Sequence, residues 1–218
     1  MKIYTKTGDK GISSLYNGTR IPKDSFEFDC LGEIDLLNSN LGLMKAFYNE
    51  LKPTCLYNPP GAGALYYKHS KCLDSGYYYE WFILDKIITN IQCVLMDISS
   101  YIATPFAGDK YSIPESYITD IENLIDRFET LLPSIKNFVV PSGNTLISQT
   151  HICRVLTRGC ERNFLKLVKN DSYESAENSK IGIYLNRLSD LLFTVSRFVA
   201  FTLNITEDQY SKNKGLFN

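Results

Sequence analysis

Seven apolar residues, Trp81, Leu84, Ile88, Ile91, Leu95, Ile98 and Ile102, recur at alternating spacings of three and four. Only a helix of 3.6 residues per turn brings such a set onto one stripe; a strand of period two would scatter it over both faces. Pro105 closes this helix. A second stripe, Ile118, Ile121, Ile125, Phe128 and Leu132, follows Pro114 and Glu115, a proline and an acid suited to a helix start, and stops at Pro133. Ser142-Gly143-Asn144 then punctuates the chain before a helix from about 145 to 168. Ile181, Leu185, Leu188, Leu192, Val195 and Val199 mark another, ending near Leu203. An earlier one, capped by Asp24 or Ser25, carries Phe28, Leu31, Ile34, Asn38 and Leu41. Five helical segments without a convincing alternating strand pattern predict an all-α bundle with near-antiparallel packing.

Two stretches lack this period. Residues 53–79, with Pro53, Asn58-Pro59-Pro60-Gly61-Ala62-Gly63 and Tyr77-Tyr78-Tyr79, read as a long loop inserted between the first two helices. Residues 169–179 are polar enough for a simple interhelix loop. The remainder reads as one domain spanning 1–218, with a short C-terminal tail at 205–218. An apolar content of 44% suffices to bury a real core, and 23 basic against 24 acidic residues leaves no global field for nucleic acid or an anionic membrane. Any anion site must therefore be local. No apolar run approaches the about 20 residues of a membrane span, and Met1-Lys2-Ile3-Tyr4-Thr5 is no secretory signal. The expected location is the cytoplasm, or the mitochondrion if a presequence is absent from this chain.

The six cysteines form no C-x-x-C pair, and with His69 and His151 as the only histidines a metal site made by side chains alone is not expected. Cys153 and Cys160, seven apart on one predicted helix, read as small buried groups rather than a redox couple. Cys55 and Cys72 could pair across a loop, which a reducing compartment disfavours.

Two patterns can carry chemistry. The run Tyr4-Thr5-Lys6-Thr7-Gly8-Asp9-Lys10-Gly11-Ile12-Ser13-Ser14, followed by Arg20 and Lys23, offers backbone N–H groups, hydroxyls and ammonium groups to a polyphosphate. It does not satisfy G-x-x-x-x-G-K-[ST], and by composition alone it is an exposed, turn-rich N-terminus. Arg154, Arg158 and Arg162, spaced by four, stack three guanidinium groups along one helix face, with Glu161 able to neutralise only part of that charge. Either an anion or subunit interface faces the row, or it is a solvated stripe paired with acids elsewhere in an oligomer. Ile152, Val155, Phe164 and Leu167 on the same helix supply a burying face, which favours the first reading. Asp35, Asn186, Arg187 and Asp190 interrupt apolar patterns, and a structural salt-bridge network would account for them.

Taken in order, these blocks resemble the PduO-type ATP:cob(I)alamin adenosyltransferases. The residues are Tyr4 to Gly11 with Ser13-Ser14, Arg20-Ile21-Pro22-Lys23-Asp24, Leu31-Gly32-Glu33-Ile34-Asp35-Leu36-Leu37-Asn38-Ser39, and Ile91-Gln92. Phe138-Val139-Val140-Pro141-Ser142-Gly143, His151 to Arg154, Arg158 to Arg162, and Tyr184-Leu185-Asn186-Arg187-Leu188-Ser189-Asp190 complete the set. Two blocks depart from the family's pattern. Arg158-Gly159-Cys160-Glu161-Arg162 has glycine where the family has a second arginine, and Gly32-Glu33-Ile34-Asp35-Leu36-Leu37 gains an acid before Asp35 and loses the one after it.

The resemblance implies a ferritin-like, up-down five-helix bundle assembling as a homotrimer, with ATP, Mg²⁺ and cobalamin meeting between subunits. It implies that Thr5, Lys6, Thr7, Gly8, Ser13, Ser14, Lys23, Arg158, Glu161, Arg162 and Asn186 contact ATP. Asp35 would pair with Arg158 or a neighbouring arginine across the subunit boundary, and Phe138 would lie below the corrin ring, displacing the lower axial ligand. Arg158, Asp35 and Phe138 are thus the residues expected to serve the reaction: cob(I)alamin attacks the ribose C5′ of ATP and tripolyphosphate leaves. A corrinoid reductase or an adenosylcobalamin-dependent acceptor enzyme is implied as partner. The alternative is a catalytically weak or inactive corrinoid-binding or escort protein of the same fold.

Overall fold

The computed structural model describes residue 4 and residues 6–55, 75–104, 113–170 and 176–211, with backbone only at 52–55, 75–80, 82, 170 and 176–179. Five helices dominate: α1 (Phe26–Cys55), α2 (Ser75–Ile102), α3 (Glu115–Glu129), α4 (Thr145–Asn170) and α5 (Ala176–Thr202). Before them stand two three-residue strands, β1 (Ile12–Ser14) and β2 (Arg20–Pro22), which pair antiparallel with Ile12 opposite Pro22 and Ser14 opposite Arg20. This hairpin corrects the expectation of an N-terminus without strands. Three residues are too few to display a period, and the turn is set by Gly18 at φ 85° and by Leu15 and Thr19 pairing through their backbones.

The stripes identify the buried faces. All seven residues of the α2 stripe and all six of the α5 stripe are buried, as are Ile34 and Leu41 of α1 and Ile118, Ile121 and Phe128 of α3. At roughly 1.5–3 kcal/mol for each large side chain buried, these faces dominate the weak local preferences of their helices. The main helix contacts run α2 to α1, α1 to α4, α4 to α5 and α5 to α3. Trp81, Phe128 and Phe198 meet at the centre, with ring centroids 6.5 Å (Trp81–Phe198) and 4.8 Å (Phe128–Phe198) apart. Tyr48 buries its ring there and donates its hydroxyl to the Trp81 carbonyl at 2.8 Å, so its one polar atom is satisfied.

Several boundaries differ from expectation. Residues 53–55 extend α1 and 75–79 open α2, so both ends of the expected insertion are helical, while 56–74 fall outside the described residues. The expected 169–179 loop is likewise helical at both ends, with 171–175 outside the described residues. Ser25 is the N-cap of α1 by its carbonyl, which accepts from Asp29 N at 3.1 Å, but its buried hydroxyl has no partner. Asn144 does cap α4 with its side chain, accepting from Ile147 N at 2.9 Å. Gly143 before it has φ 120°, and a Cβ there would sit 2.8 Å from Ile147, so glycine is required. Ile152 and Val155, expected inside, are 48% and 54% exposed; Cys153, Cys160, Phe164 and Leu167 are buried as expected, and Leu146 and Ile147 join them.

Candidate functional site

The N-terminal loop is shaped by its own hairpin. Arg20, at the start of β2, reaches back and donates through Nη2 to the carbonyls of Thr7 (2.8 Å) and Ile12 (3.3 Å). Lys23 donates its backbone N–H to the Gly11 carbonyl at 2.9 Å, and Gly11 turns the chain at φ 78°. These bonds bring the Lys23 ammonium over Gly8, where a Cβ would lie 3.2 Å from both Cε and Nζ. Gly8 is thus the place where a side chain would displace the lysine. Ser13 and Ser14 occupy β1, and Lys6 stands exposed at φ 59° with its ammonium 5.7 Å from the Tyr4 ring centroid. The structure therefore gathers Lys6, Thr7, Gly8, Ser13, Ser14 and Lys23 on one small, backbone-braced unit; Thr5 lies outside the described residues.

On α4, Arg158 and Arg162 are exposed, and neither makes a hydrogen bond or ion pair with another described residue. Arg154 is half-buried with its Nε shielded and unpaired, and burial together with the Arg158 charge holds its pKa below the ordinary arginine value. His151 adds no charge to the row. Burial first, then the Arg154 guanidinium, holds it at about 4, so it is neutral at pH 7. Glu161 points the other way, accepting from Asn186 Nδ2 on α5 at 3.1 Å. Arg187 Nη1 donates to Asn186 Oδ1 at 2.9 Å, while its Nε meets Glu122 Oε1 of α3 at 2.8 Å. Glu161, Asn186, Arg187 and Glu122 thus form one line across three helices, which accounts for Asn186 and Arg187 among the polar interruptions in α5; Asp190 is exposed and stands outside it. The effect of the line is to turn the one acid of the arginine row away from Arg158 and Arg162.

Asp35 on α1 is exposed and makes no hydrogen bond or ion pair within the described chain. Its neighbour Leu36 is 50% exposed. Glu33, one of the three unusual positions, meets another: a Cβ on Gly159 would lie 3.0 Å from Glu33 Oε2. Sequence patterns could not pair them, because the contact joins two helices far apart along the chain. Phe138 is 84% exposed between α3 and α4, which rules out a role as an anchor of this subunit's core. Its segment is held by residues that follow α5, an arrangement that composition does not signal: Tyr210 N donates to the Phe138 carbonyl and Val140 N to the Asp208 carbonyl, each at 2.7 Å.

Of the cysteines, Cys30, Cys153 and Cys160 are buried free thiols, each pushed up to about 12 chiefly by burial, and so unreactive as nucleophiles. Cys72 lies outside the described residues, as does the Cys55 side chain. A cleft of about 320 Å³ between α2, α3 and α5 contains none of the expected site residues. Its lining includes Asp97 and Asp120, the wrong charge for a polyphosphate. No described helix is long and apolar enough to cross a membrane.

Comparison with known proteins converges on one family. The cobalamin adenosyltransferase family matches residues 3–199. The corrinoid adenosyltransferase MMAB of Mus musculus is 32% identical over 97% of this chain and 78% of its own length, and the corrinoid adenosyltransferase of Bacillus subtilis is 31% identical over 100% and 96%. A variant of the PduO-type ATP:corrinoid adenosyltransferase from Lactobacillus reuteri, solved with cobalamin and ATP, superposes with a TM-score of 0.74 at 26% identity, covering 96% of this chain and 99% of that one. With the braced N-terminal loop, the open arginine row and the exposed Phe138 in the same order as the sequence blocks that resemble this family, the chain belongs to the cobalamin adenosyltransferases.

Proposed function

We propose that this protein transfers the 5′-deoxyadenosyl group of ATP to cob(I)alamin, forming adenosylcobalamin and releasing tripolyphosphate. The observation that carries the reading is the pair Arg158 and Arg162, exposed one turn apart with no partner on the described chain while Glu161 is engaged by Asn186. Unpaired guanidinium groups on a shared face are held there against mutual repulsion when an anion serves them. Related proteins are solved with ATP and cobalamin, which supports these as the ligands.

The reaction forms a cobalt–carbon bond and breaks the C5′–oxygen bond, the electron pair leaving on the triphosphate. The protein's task is to hold that leaving group in line behind C5′ and to counter its charge. Thr5, Lys6, Thr7, Gly8, Ser13, Ser14 and Lys23 cradle the triphosphate, Arg158 and Arg162 neutralise it, and Asn186 is aimed by Glu161 and Arg187. Mg²⁺ arrives with the nucleotide. No general base is needed. Phe138 presents its ring to the lower face of the corrin, away from the subunit's own core.

We read the chain as a single domain, an up-down, ferritin-like bundle that works as a homotrimer, with Asp35 of one subunit meeting Arg158 or a neighbouring arginine of the next. A corrinoid reductase or an adenosylcobalamin-dependent enzyme is the inferred partner, in the cytoplasm, or in the mitochondrion if a presequence precedes this chain.

Gly159 and Glu33 support a second reading, since together they remove a guanidinium and add a carboxylate near the row: a corrinoid-binding or escort protein with weak or no turnover. Incubation of the protein with ATP and chemically reduced cobalamin separates the two. Formation of the cobalt–carbon bond is expected. Corrinoid binding without product would establish the escort reading, and failure to bind either ligand would leave only an oligomeric bundle.

A further inference from the structure

The segment after α5 does not simply trail away. Asn204, at φ 55°, ends the helix in the left-handed conformation, and Ile205 N donates back to the Ala200 carbonyl at 2.8 Å, turning the chain onto the bundle. Ile205 packs against the core. Beyond it the segment runs antiparallel to the one that carries Phe138: Val139 bridges Gln209, flanked by the Val140 to Asp208 and Tyr210 to Phe138 backbone bonds at 2.7 Å. Asn137 adds a side-chain bond to Gln209 at 2.9 Å.

Arg197 ties both segments to α5. It is only 5% exposed, its Nη2 donates to the Pro133 carbonyl at 2.6 Å, and its Nε lies 3.5 Å from Glu207 Oε2. The last contact is an ion pair without hydrogen-bond alignment. One buried cation thus faces the start of the Phe138 segment and the start of the segment that pairs with it. Alternation along the paired strand puts Phe138 and Val140, both exposed, on the side away from half-buried Val139.

We propose that the C-terminal segment 205–210 is part of the corrinoid side of the site, a backbone clamp that fixes the Phe138 ring, with Arg197, Glu207 and the Tyr210 N–H as positioning groups. An aromatic ring that is 84% exposed has no core packing to orient it, so the backbone on either side must do so. The proposal rests on the reading of Phe138 as the residue facing the corrin. Deleting it would report on the ring, not on the clamp.

The direct test is Tyr210→Pro against Tyr210→Ala. Proline removes the N–H that bonds the Phe138 carbonyl and suits an extended segment, whereas alanine keeps the N–H and removes only the exposed ring. Three properties are measured on the full chain: adenosyl transfer, the ATP KM, and the spectrum of co(II)balamin bound with ATP. Tyr210→Pro is expected to lower kcat roughly five- to tenfold, the worth of about one hydrogen bond, with the ATP KM unchanged. Its cobalt spectrum should shift toward the five-coordinate form. Tyr210→Ala should stay within about twofold of the parent. Glu207→Gln should show the same spectral shift, and Glu207→Asp should recover part of it. If the parent is active and Tyr210→Pro matches it in rate and spectrum, the clamp is wrong while the functional reading stands. If Tyr210→Pro loses ATP use and thermal stability together, the segment is a structural strap and the proposal fails. A parent that makes no cobalt–carbon bond and binds no corrinoid overturns the functional reading and the clamp together.

Discussion

A glycine inside a helix costs about 1 kcal/mol relative to alanine, so Gly159 in the middle of α4 needs a reason. The Glu33 carboxylate, 3.0 Å from where a Cβ would be, supplies one. Gly159 and Glu33 are one feature: the space left by the missing side chain on α4 is used by an added carboxylate from α1. A double-mutant cycle tests this. Gly159→Ala should stabilise the Glu33→Ala protein by close to the full ~1 kcal/mol of helix propensity, yet gain at least about 0.5 kcal/mol less when Glu33 is present, because the carboxylate must then move. Equal gains in both backgrounds, measured by denaturant unfolding, would show that the contact constrains nothing. The neighbouring arginines predict the opposite balance between function and stability. Arg158→Ala and Arg162→Ala each remove a charge-assisted bond to phosphate worth roughly 1.5–3 kcal/mol, or about ten- to a hundredfold in kcat/KM for ATP. Both side chains are exposed and unpaired on the described chain, so unfolding of Arg162→Ala should shift by less than about 0.5 kcal/mol, while Arg158→Ala also gives up its pairing with Asp35 of the next subunit. Unaltered ATP saturation and turnover in both would make the row structural.

At the scale of elements, what was legible is what burial writes into the sequence. The α2 and α5 stripes are complete because every member is inside, and their spacing alone identifies those helices. Where backbone geometry rather than burial decides, the sequence is silent. The β1–β2 hairpin is only three residues deep, and the 205–210 segment is held by main-chain bonds that many sequences could make. Ile152 and Val155 mislead for a related reason: they fit an apolar spacing, but α4 turns Cys153, Cys160 and Phe164 to this subunit's core. Pro53 and the three tyrosines read as loop in the sequence, whereas α1 reaches Cys55 and α2 begins at Ser75, because helix ends follow backbone bonding that composition does not specify. Residues 56–74 carry Pro59, Pro60, Gly61 and Gly63 and no helical period. Replacing those residues with a short Gly/Ser linker should leave the oligomeric state and the thermal midpoint nearly unchanged, because loop-closure entropy varies only slowly with length. A monomeric or unfolded product, seen by light scattering and calorimetry, would show that the segment packs into the assembly.

For the whole molecule, the deciding question is whether one chain holds a complete site. Asp35 and Arg158 are both exposed on helices that pack against each other, α1 and α4, yet no ion pair joins them within the chain. Apolar Leu36 and Val155, each about half-exposed, lie next in sequence to Asp35 and Arg154. A solvated surface gains nothing from this combination, whereas a second copy would bury the apolar residues and supply the missing opposite charges. The consequence is testable by complementation. Asp35→Ala and Arg162→Ala should each keep at most about a tenth of parental activity alone. If every site takes α1 from one subunit and α4 from the next in a closed ring, trimers reassembled from an equal mixture contain interfaces where both contributing surfaces are intact. Random assembly makes these roughly a quarter of all interfaces, so about a quarter of parental activity should return. Sites contained within single subunits regain nothing, because each chain still carries its own lesion. Activity is therefore measured before and after unfolding and refolding the mixture. An absence of recovery in trimers shown to be mixed by native mass spectrometry would place Asp35 and Arg162 in the same subunit's site and overturn the shared-site arrangement, leaving adenosyl transfer itself untouched.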